Sequence, residues 1–211
     1  MKIAEIFTSI QGESSFAGLP CTFIRLTGCN LRCQYCDTSY AFEGGVEMDP
    51  DQIVSRVRES GIPLTEITGG EPLLQEESYL LSSLLLNEGY TVLLETNGSL
   101  SLEHVDSRVV KIMDMKCPGS GMSEHMMFTN MKYLSSKDEV KFVIGDRTDF
   151  DWALKIIDDY ELLTMCKVLI SPLQPKLEAR TAAEWILEEK LLVRMQLQLH
   201  KIIWPTKDRG V

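Results

Sequence analysis

Short β-branched or apolar runs alternate with longer stretches of helical period along nearly the whole chain, and this alternation is what most constrains the fold. The runs predict strands at 3–7, 22–26, 66–68, 91–95, 109–114, 140–144, 168–170 and 193–197. Helical periods fill the gaps. The clearest starts at Asp49-Pro50, a capping residue followed by proline at the first helical position, runs through Ile53, Val54 and Val57, and stops at Gly61. Others are predicted at 76–87, 149–160 and 179–190. Repeated strand, helix, strand units of this kind make a mainly parallel sheet with right-handed crossovers, either an open doubly wound sheet or a partial barrel. Both architectures place function at the C-terminal ends of the strands.

The 211 residues, 44% of them apolar, suffice for one domain with a full core, and no repeat or linker divides them. With 21 basic and 31 acidic residues the net charge is −10, so no global field favours polyanions and nucleic acid is a poor partner. The N-terminal run meets polar residues too early for a signal h-region. No stretch approaches the roughly 20 apolar residues of a membrane span, so a cytoplasmic protein with no membrane contact is expected. Six cysteines in such a chain fit reduced thiols better than a disulfide scaffold. Cys21 and Cys166 sit in strand-like runs as small buried hydrophobes.

Cys29, Cys33 and Cys36 bunch in the run GCNLRCQYCDTSY with spacing CxxxCxxC. Three thiolates leave one iron of a [4Fe-4S] cubane open to an outside ligand, whereas a structural zinc site closes its shell with a fourth residue. The nearest fourth ligands here are Cys21 and Asp37, and neither makes a zinc-ribbon pair. Tyr35 sets an aromatic face beside the last cysteine, and Asp37, Thr38 and Ser39 add oxygens just outside it.

The other polar loops also fall after predicted strands. Thr68-Gly69-Gly70-Glu71-Pro72 alone reads as a turn. Glu95-Thr96-Asn97-Gly98-Ser99 reads as a β-turn. In Asp114-Met115-Lys116-Cys117-Pro118 the lysine is either solvated or a contact to a carboxylate or ribose. In Leu173-Gln174-Pro175-Lys176 the proline shapes a turn and Gln174 offers both a donor and an acceptor. Arg25, flanked by apolar strand residues, must find a partner, either a strand-edge salt bridge or a substrate carboxylate.

Taken with its glycine and aromatic residues, the cysteine loop resembles that of the radical S-adenosylmethionine (SAM) enzymes. The opening Ile6-Phe7-Thr8-Ser9-Ile10-Gln11-Gly12-Glu13-Ser14 with Ala17-Gly18 further resembles the 7-carboxy-7-deazaguanine synthase family. So do Phe23-Ile24-Arg25-Leu26, Cys36-Asp37-Thr38, the stretch Thr68 through Gln75, and the ending Gln198 through Pro205. These matches span residues 3–205.

That resemblance implies a partial, modified (β/α) barrel of the radical SAM type, working as a homodimer with an external one-electron donor such as flavodoxin or ferredoxin. It implies ring contraction of 6-carboxy-5,6,7,8-tetrahydropterin to 7-carboxy-7-deazaguanine with loss of ammonia, on the route to queuosine and related deazapurines. It places a [4Fe-4S] cluster on Cys29, Cys33 and Cys36, and substrate on Ile10, Gln11, Gly12, Arg25, Thr68 and Pro205. SAM falls to Tyr35, Asp37, Ser39, Gly70, Glu71, Lys116, Cys117, Gln174 and Pro175, and Mg²⁺ to Thr38. In the GGEP element, glycine is expected because a Cβ would block ligand approach.

Ser14 departs from the family's glycine, a mild change if its φ is negative, and Thr206 to Val211 form a tail past the proline where relatives commonly end. An activase that makes a glycyl radical on a partner protein would share the cluster and SAM loops but have no use for the QGE opening or Arg25. A non-enzymatic iron-sulfur or zinc protein would bind no SAM.

Overall fold

Nine strands form one sheet in the computed structural model, which describes residues 1–207 and 209–211. They are β1 (Lys2–Ile10), β2 (Pro20–Leu26), β3 (Val46–Glu47), β4 (Leu64–Gly69), β5 (Thr91–Thr96), β6 (Val110–Met115), β7 (Glu139–Ile144), β8 (Lys167–Pro172) and β9 (Arg194–Met195), in the order β3-β1-β2-β4-β5-β6-β7-β8-β9. From β2 to β9 every neighbouring pair is parallel, while β1 runs antiparallel to both β2 and β3. The parallel strands follow chain order with no reversal. A doubly wound sheet reverses at a switch point, so right-handed crossovers here put every connection on one face, and the sheet curls into a partial barrel. The end strands β3 and β9 do not pair, and the barrel stays open.

The helices are α1 (Pro50–Ser60), α2 (Glu77–Asn87), α3 (Arg147–Asp159), α4 (Leu162–Met165), α5 (Ala179–Glu188) and α6 (Leu199–Ile203). The start of α1 is fixed by Pro50 and by the Gln52 Oε1 that accepts from the Asp49 N–H at 3.0 Å. Its end is set by Gly61 at φ 66°. The sequence does not predict α4 and α6, which are too short to display a period, nor β3, which is two residues long. No α-helix joins β5 to β6, and three 3₁₀ segments replace the crossover helix between β6 and β7.

Alternation along each strand sorts the core into two. Ile24, Ile67, Leu94, Met113, Val140, Phe142 and Ile170 face the helices and pack with Ile53, Val57, Leu81, Leu85, Phe150 and Ile157. Cys21, Phe23, Leu64, Leu93, Val110 and Ile112 form a separate cluster that contains no helix residue, with Phe7, Phe16 and Ile62 packed on it. This second cluster plugs the N-terminal end of the barrel interior. Further along the same interior face come Arg25, Thr68, Glu95, Asp114 and Lys141, so the interior turns polar toward the strands' C-terminal ends. Among the described residues, no helix is long and apolar enough to cross a membrane.

Candidate active site

Above the apolar plug lies a cavity of about 400 Å³, a volume suited to a small molecule. One wall carries Cys29, Cys33, Tyr35, Cys36, Asp37 and Thr38; another carries Thr68, Gly70, Glu95, Asp114 and Lys116. Ile10, Gln11, Gly12, Glu13 and Arg25 enter from the N-terminal strands, and His200, Trp204 and Pro205 from the C-terminal segment. The structure therefore brings together fourteen of the residues predicted from sequence: Ile10, Gln11, Gly12, Arg25, Cys29, Cys33, Tyr35, Cys36, Asp37, Thr38, Thr68, Gly70, Lys116 and Pro205.

Five others do not line it. Ser39 is exposed at the start of a 3₁₀ turn, and Gln174 and Pro175 are exposed while Leu173 faces the cavity in their place. Cys117 is fully buried in the helix-side core. Glu71 is also fully buried and turns inward: its carboxylate accepts from the Leu73 N–H at 3.0 Å, the Asn97 N–H at 2.7 Å and the Thr96 hydroxyl at 2.9 Å. It clasps the loop after β4 to the loop after β5. Burial raises its pKa to about 6 although these donors favour the ionised form.

Two glycines owe their identity to the protein's own packing. A Cβ on Gly70 would stand 2.1 Å from the Gly28 carbonyl oxygen and 2.7 Å from the Cys29 Cβ. The glycine expected to admit a ligand also admits the cysteine loop, which the Glu71 N–H holds through the Gly28 carbonyl at 2.8 Å. Gly12 likewise lies under α6, where a Cβ would meet His200 Nδ1 at 2.3 Å, and its carbonyl accepts from the Leu199 N–H at 3.0 Å.

Charged residues that sequence reading did not assign converge at the cavity floor. Lys141, 3% exposed, places Nζ 2.6 Å from Glu13 Oε2, 2.5 Å from Glu95 Oε1 and 3.3 Å from Asp114 Oδ2. Gln198 Nε2 donates to Glu13 Oε1 at 2.6 Å, and the Thr68 hydroxyl donates to Glu95 Oε2 at 3.0 Å. Gln11, expected to face substrate, is committed on both ends of its amide. Its Nε2 donates to Glu66 Oε2 and its Oε1 accepts from the Glu13 N–H at 3.0 Å. Burial, with the nearby charges of Glu95 and Glu13, pushes the Glu66 carboxyl well above its ordinary pKa, whereas Lys141 draws Glu13 below it against the effect of burial. The signal for these residues was present: Glu66, Glu95, Asp114 and Lys141 are charges at inward positions of otherwise apolar strands.

Arg25 meets both readings open to it. It lies opposite Glu5 in the β1–β2 register, and its Nε donates to Glu5 Oε1 at 2.8 Å, while the side chain lines the cavity. The Tyr40 hydroxyl donates to the same Glu5 oxygen at 2.6 Å. The tail also reaches this corner: the Gly210 N–H donates to Glu5 Oε2 at 3.2 Å, the Arg209 guanidinium lies 4.2 Å from the Tyr40 ring centre, and Val211 lines the cavity. Asp208, within that predicted tail, lies outside the described residues. Ser14 departs from expectation, with φ at 64°.

The donor set fits an iron-sulfur cluster and a donor-rich ligand. All six cysteines are free thiols, and the three of the loop face one cavity. Among the described residues, no three His, Cys, Asp or Glu side chains converge on a point that would hold a single ion. Three loop thiols on one cavity suit a cubane, whose irons each take one thiolate, with the fourth iron left to an outside ligand, whereas a structural zinc site takes four protein ligands. Asp114, 8% exposed, keeps Oδ1 without a protein partner while Oδ2 pairs with Lys116 Nζ at 2.9 Å, so an acceptor is left for a donor from a bound group. For Mg²⁺ the loop offers the Thr38 hydroxyl, which donates to Asp37 Oδ1 at 2.9 Å.

The Radical SAM superfamily matches residues 23–115. The 7-carboxy-7-deazaguanine synthase of Chlorobaculum tepidum is 47% identical over 214 residues, covering 100% of this chain and 97% of the relative. That of Koribacter versatilis is 42% identical over 226 residues and covers 100% of both. Among solved structures, the crystal structure of QueE from Escherichia coli superposes with a TM-score of 0.78 over 93% of each chain at 21% identity, a likeness of fold.

Proposed function

The chain belongs to the 7-carboxy-7-deazaguanine synthases of the radical SAM superfamily, and from that premise we propose that its cavity contracts the ring of 6-carboxy-5,6,7,8-tetrahydropterin to 7-carboxy-7-deazaguanine with release of ammonia, in 7-deazapurine and queuosine biosynthesis. The observation that carries the proposal is a single cavity lined by the three free thiols of Cys29, Cys33 and Cys36 together with Arg25, Thr68 and the Glu13–Lys141 floor. A glycyl-radical activase and a non-enzymatic metal protein are not favoured, because relatives with the synthase name align along the full chain.

When bound, a [4Fe-4S] cluster with SAM supplies one-electron reduction and a radical able to abstract hydrogen. The chain's own residues bind and orient. Arg25, fixed through Nε by Glu5, presents its guanidinium to the substrate carboxylate. The carboxyl groups of Glu13, Glu66 and Glu95 offer acceptors to the donor-rich amidine edge of a pterin. Glu66 Oε2 accepts from Gln11, so a proton held on Glu66 sits on Oε1, where it can serve a departing amine. The Asp114 Oδ1 and Lys116 corner serves SAM, as the resemblance implies for Lys116. Thr38 with water and substrate oxygens would hold Mg²⁺, a hard ion that keeps such ligands. The homodimer and the flavodoxin or ferredoxin donor rest on the resemblance alone.

Anaerobic reconstitution should give a brown protein that forms 7-carboxy-7-deazaguanine from the carboxytetrahydropterin, followed by mass. In Arg25→Ala the KM for that substrate should rise about 10- to 150-fold, as expected for a lost charged pair, with SAM affinity unchanged. Colourless protein carrying one zinc, or an Arg25→Ala variant with parental turnover and KM, overturns the proposal.

A further inference from the structure

The turn after β5 comes back over the cysteine loop. Asn97, 6% exposed, directs Nδ2 at Cys29 Sγ across 3.8 Å and at Asn30 Oδ1 across 3.1 Å. The orientation of its amide follows from the hydrogen bonds on its other side. Oδ1 accepts from the Ser99 N–H at 3.0 Å and from the Ser99 hydroxyl at 2.6 Å, and that hydroxyl in turn accepts from Asn30 Nδ2 at 2.8 Å. A flipped amide would set its N–H₂ against the Ser99 N–H, so the donor end must face the sulfur. The backbone is pinned as well, since the Asn97 N–H donates to Glu71 Oε2 at 2.7 Å. Cys29 Sγ accepts a second bond from the Leu31 N–H at 3.4 Å.

We propose that Asn97 sets the reduction potential of the cluster through its N–H···S bond to Cys29, with Ser99 and Asn30 as the brace that holds its amide in place. A donor to a cluster sulfur stabilises the more negative, reduced state, so it raises the potential. The step it governs is the uptake of one electron from an external one-electron donor, in which no bond forms or breaks. Asn97 is thus a positioning residue acting through Cys29, and it gives the Glu95–Ser99 turn a function. The proposal rests on the presence of the cluster described above.

The test is an EPR-monitored redox titration of the anaerobically reconstituted protein with dithionite and mediator dyes, without SAM or substrate. In Asn97→Leu, of similar size and uncharged, the backbone bond to Glu71 survives while the donor facing sulfur is removed without placing a new charge beside the cluster. The equilibrium constant for reduction should fall about tenfold, a negative shift of about 59 mV for one electron. In Ser99→Ala the amide keeps the Ser99 N–H but loses the hydroxyl that braces it, so a smaller negative shift is expected at parental iron content, and this variant decides the matter if Asn97→Leu loads poorly. Loaded variants whose midpoints equal the parent's overturn the proposal. A parent that takes up no cluster overturns instead the radical SAM function on which it rests.

Discussion

At the scale of the residue, Ser14 shows how a side chain can occupy a position suited to glycine. Its φ of 64° is left-handed, a region that costs an L-residue roughly 1 kcal/mol. Local bonds offset that cost: Ser14 Oγ accepts from the Phe16 N–H at 3.1 Å, and the Ser14 N–H donates to Gln196 Oε1 at 2.9 Å. The comparison that isolates backbone strain is between the two variants that both lack the hydroxyl. Ser14→Gly should be more stable than Ser14→Ala by about 1 kcal/mol in urea denaturation. At a negative φ the order would reverse, because alanine restricts the unfolded chain, so a more stable Ser14→Ala would refute the left-handed assignment.

At the scale of the element, the loops after β4 and β5 are joined by Glu71, and the sequence did not reveal this role. The loop alone reads as a turn and the resemblance makes Glu71 a SAM contact, since nothing in the local sequence says that the Leu73 and Asn97 N–H groups will turn toward it. The clasp makes stability depend on pH. The Glu71 pKa rises from 4.5 to about 6 in the fold, chiefly by burial. A raised carboxyl pKa means that the fold binds the proton more tightly than the unfolded chain. Its contribution is therefore complete below pH 4.5 and is lost as pH rises through about 6, an effect of about 2 kcal/mol. Glu71→Gln removes the titrating group and also one of its bonds, so it should be less stable at every pH but should lack this decline. Between pH 4.5 and about 7.5 the difference in unfolding free energy between parent and variant should narrow by about 2 kcal/mol. A constant difference across that range would show that Glu71 stays ionised throughout.

At the scale of the whole molecule, the strands were legible from local pattern, while the choice of a partial barrel over an open doubly wound sheet came only from the resemblance. Seven of the predicted strands lie within observed strands apart from Val109 at one end, because β-branched runs and alternation mark them locally. The eighth shrinks to Arg194–Met195: the Gln196 N–H still donates to the Ile170 carbonyl of β8 at 2.9 Å, but the side chains of Gln196 and Gln198 turn to Glu13 in the cavity. The β-sheet itself leaves the barrel open, and Lys141 bridges part of the gap. Through Glu13 it reaches a residue 128 positions away in sequence, and Glu13 reaches Gln198 a further 185 positions on from itself, pairings that no local pattern encodes. One cation thus holds the N-terminal loop, β5 and β6 around the floor, with the C-terminal segment attached through Glu13. Removing it in Lys141→Met keeps the volume but strands Glu13, Glu95 and Asp114 near one another without their shared charge. Loss of one partner of a buried ion pair costs about 3–5 kcal/mol, and the 19% and 27% exposure of Glu13 and Glu95 places the expected cost near about 3 kcal/mol. Adding Glu13→Gln to Lys141→Met relieves part of the uncompensated negative charge, so the double variant should be more stable than Lys141→Met alone by about 1 kcal/mol or more in the same denaturant assay. Additive losses from the two substitutions would mean that Lys141 and Glu13 do not support each other.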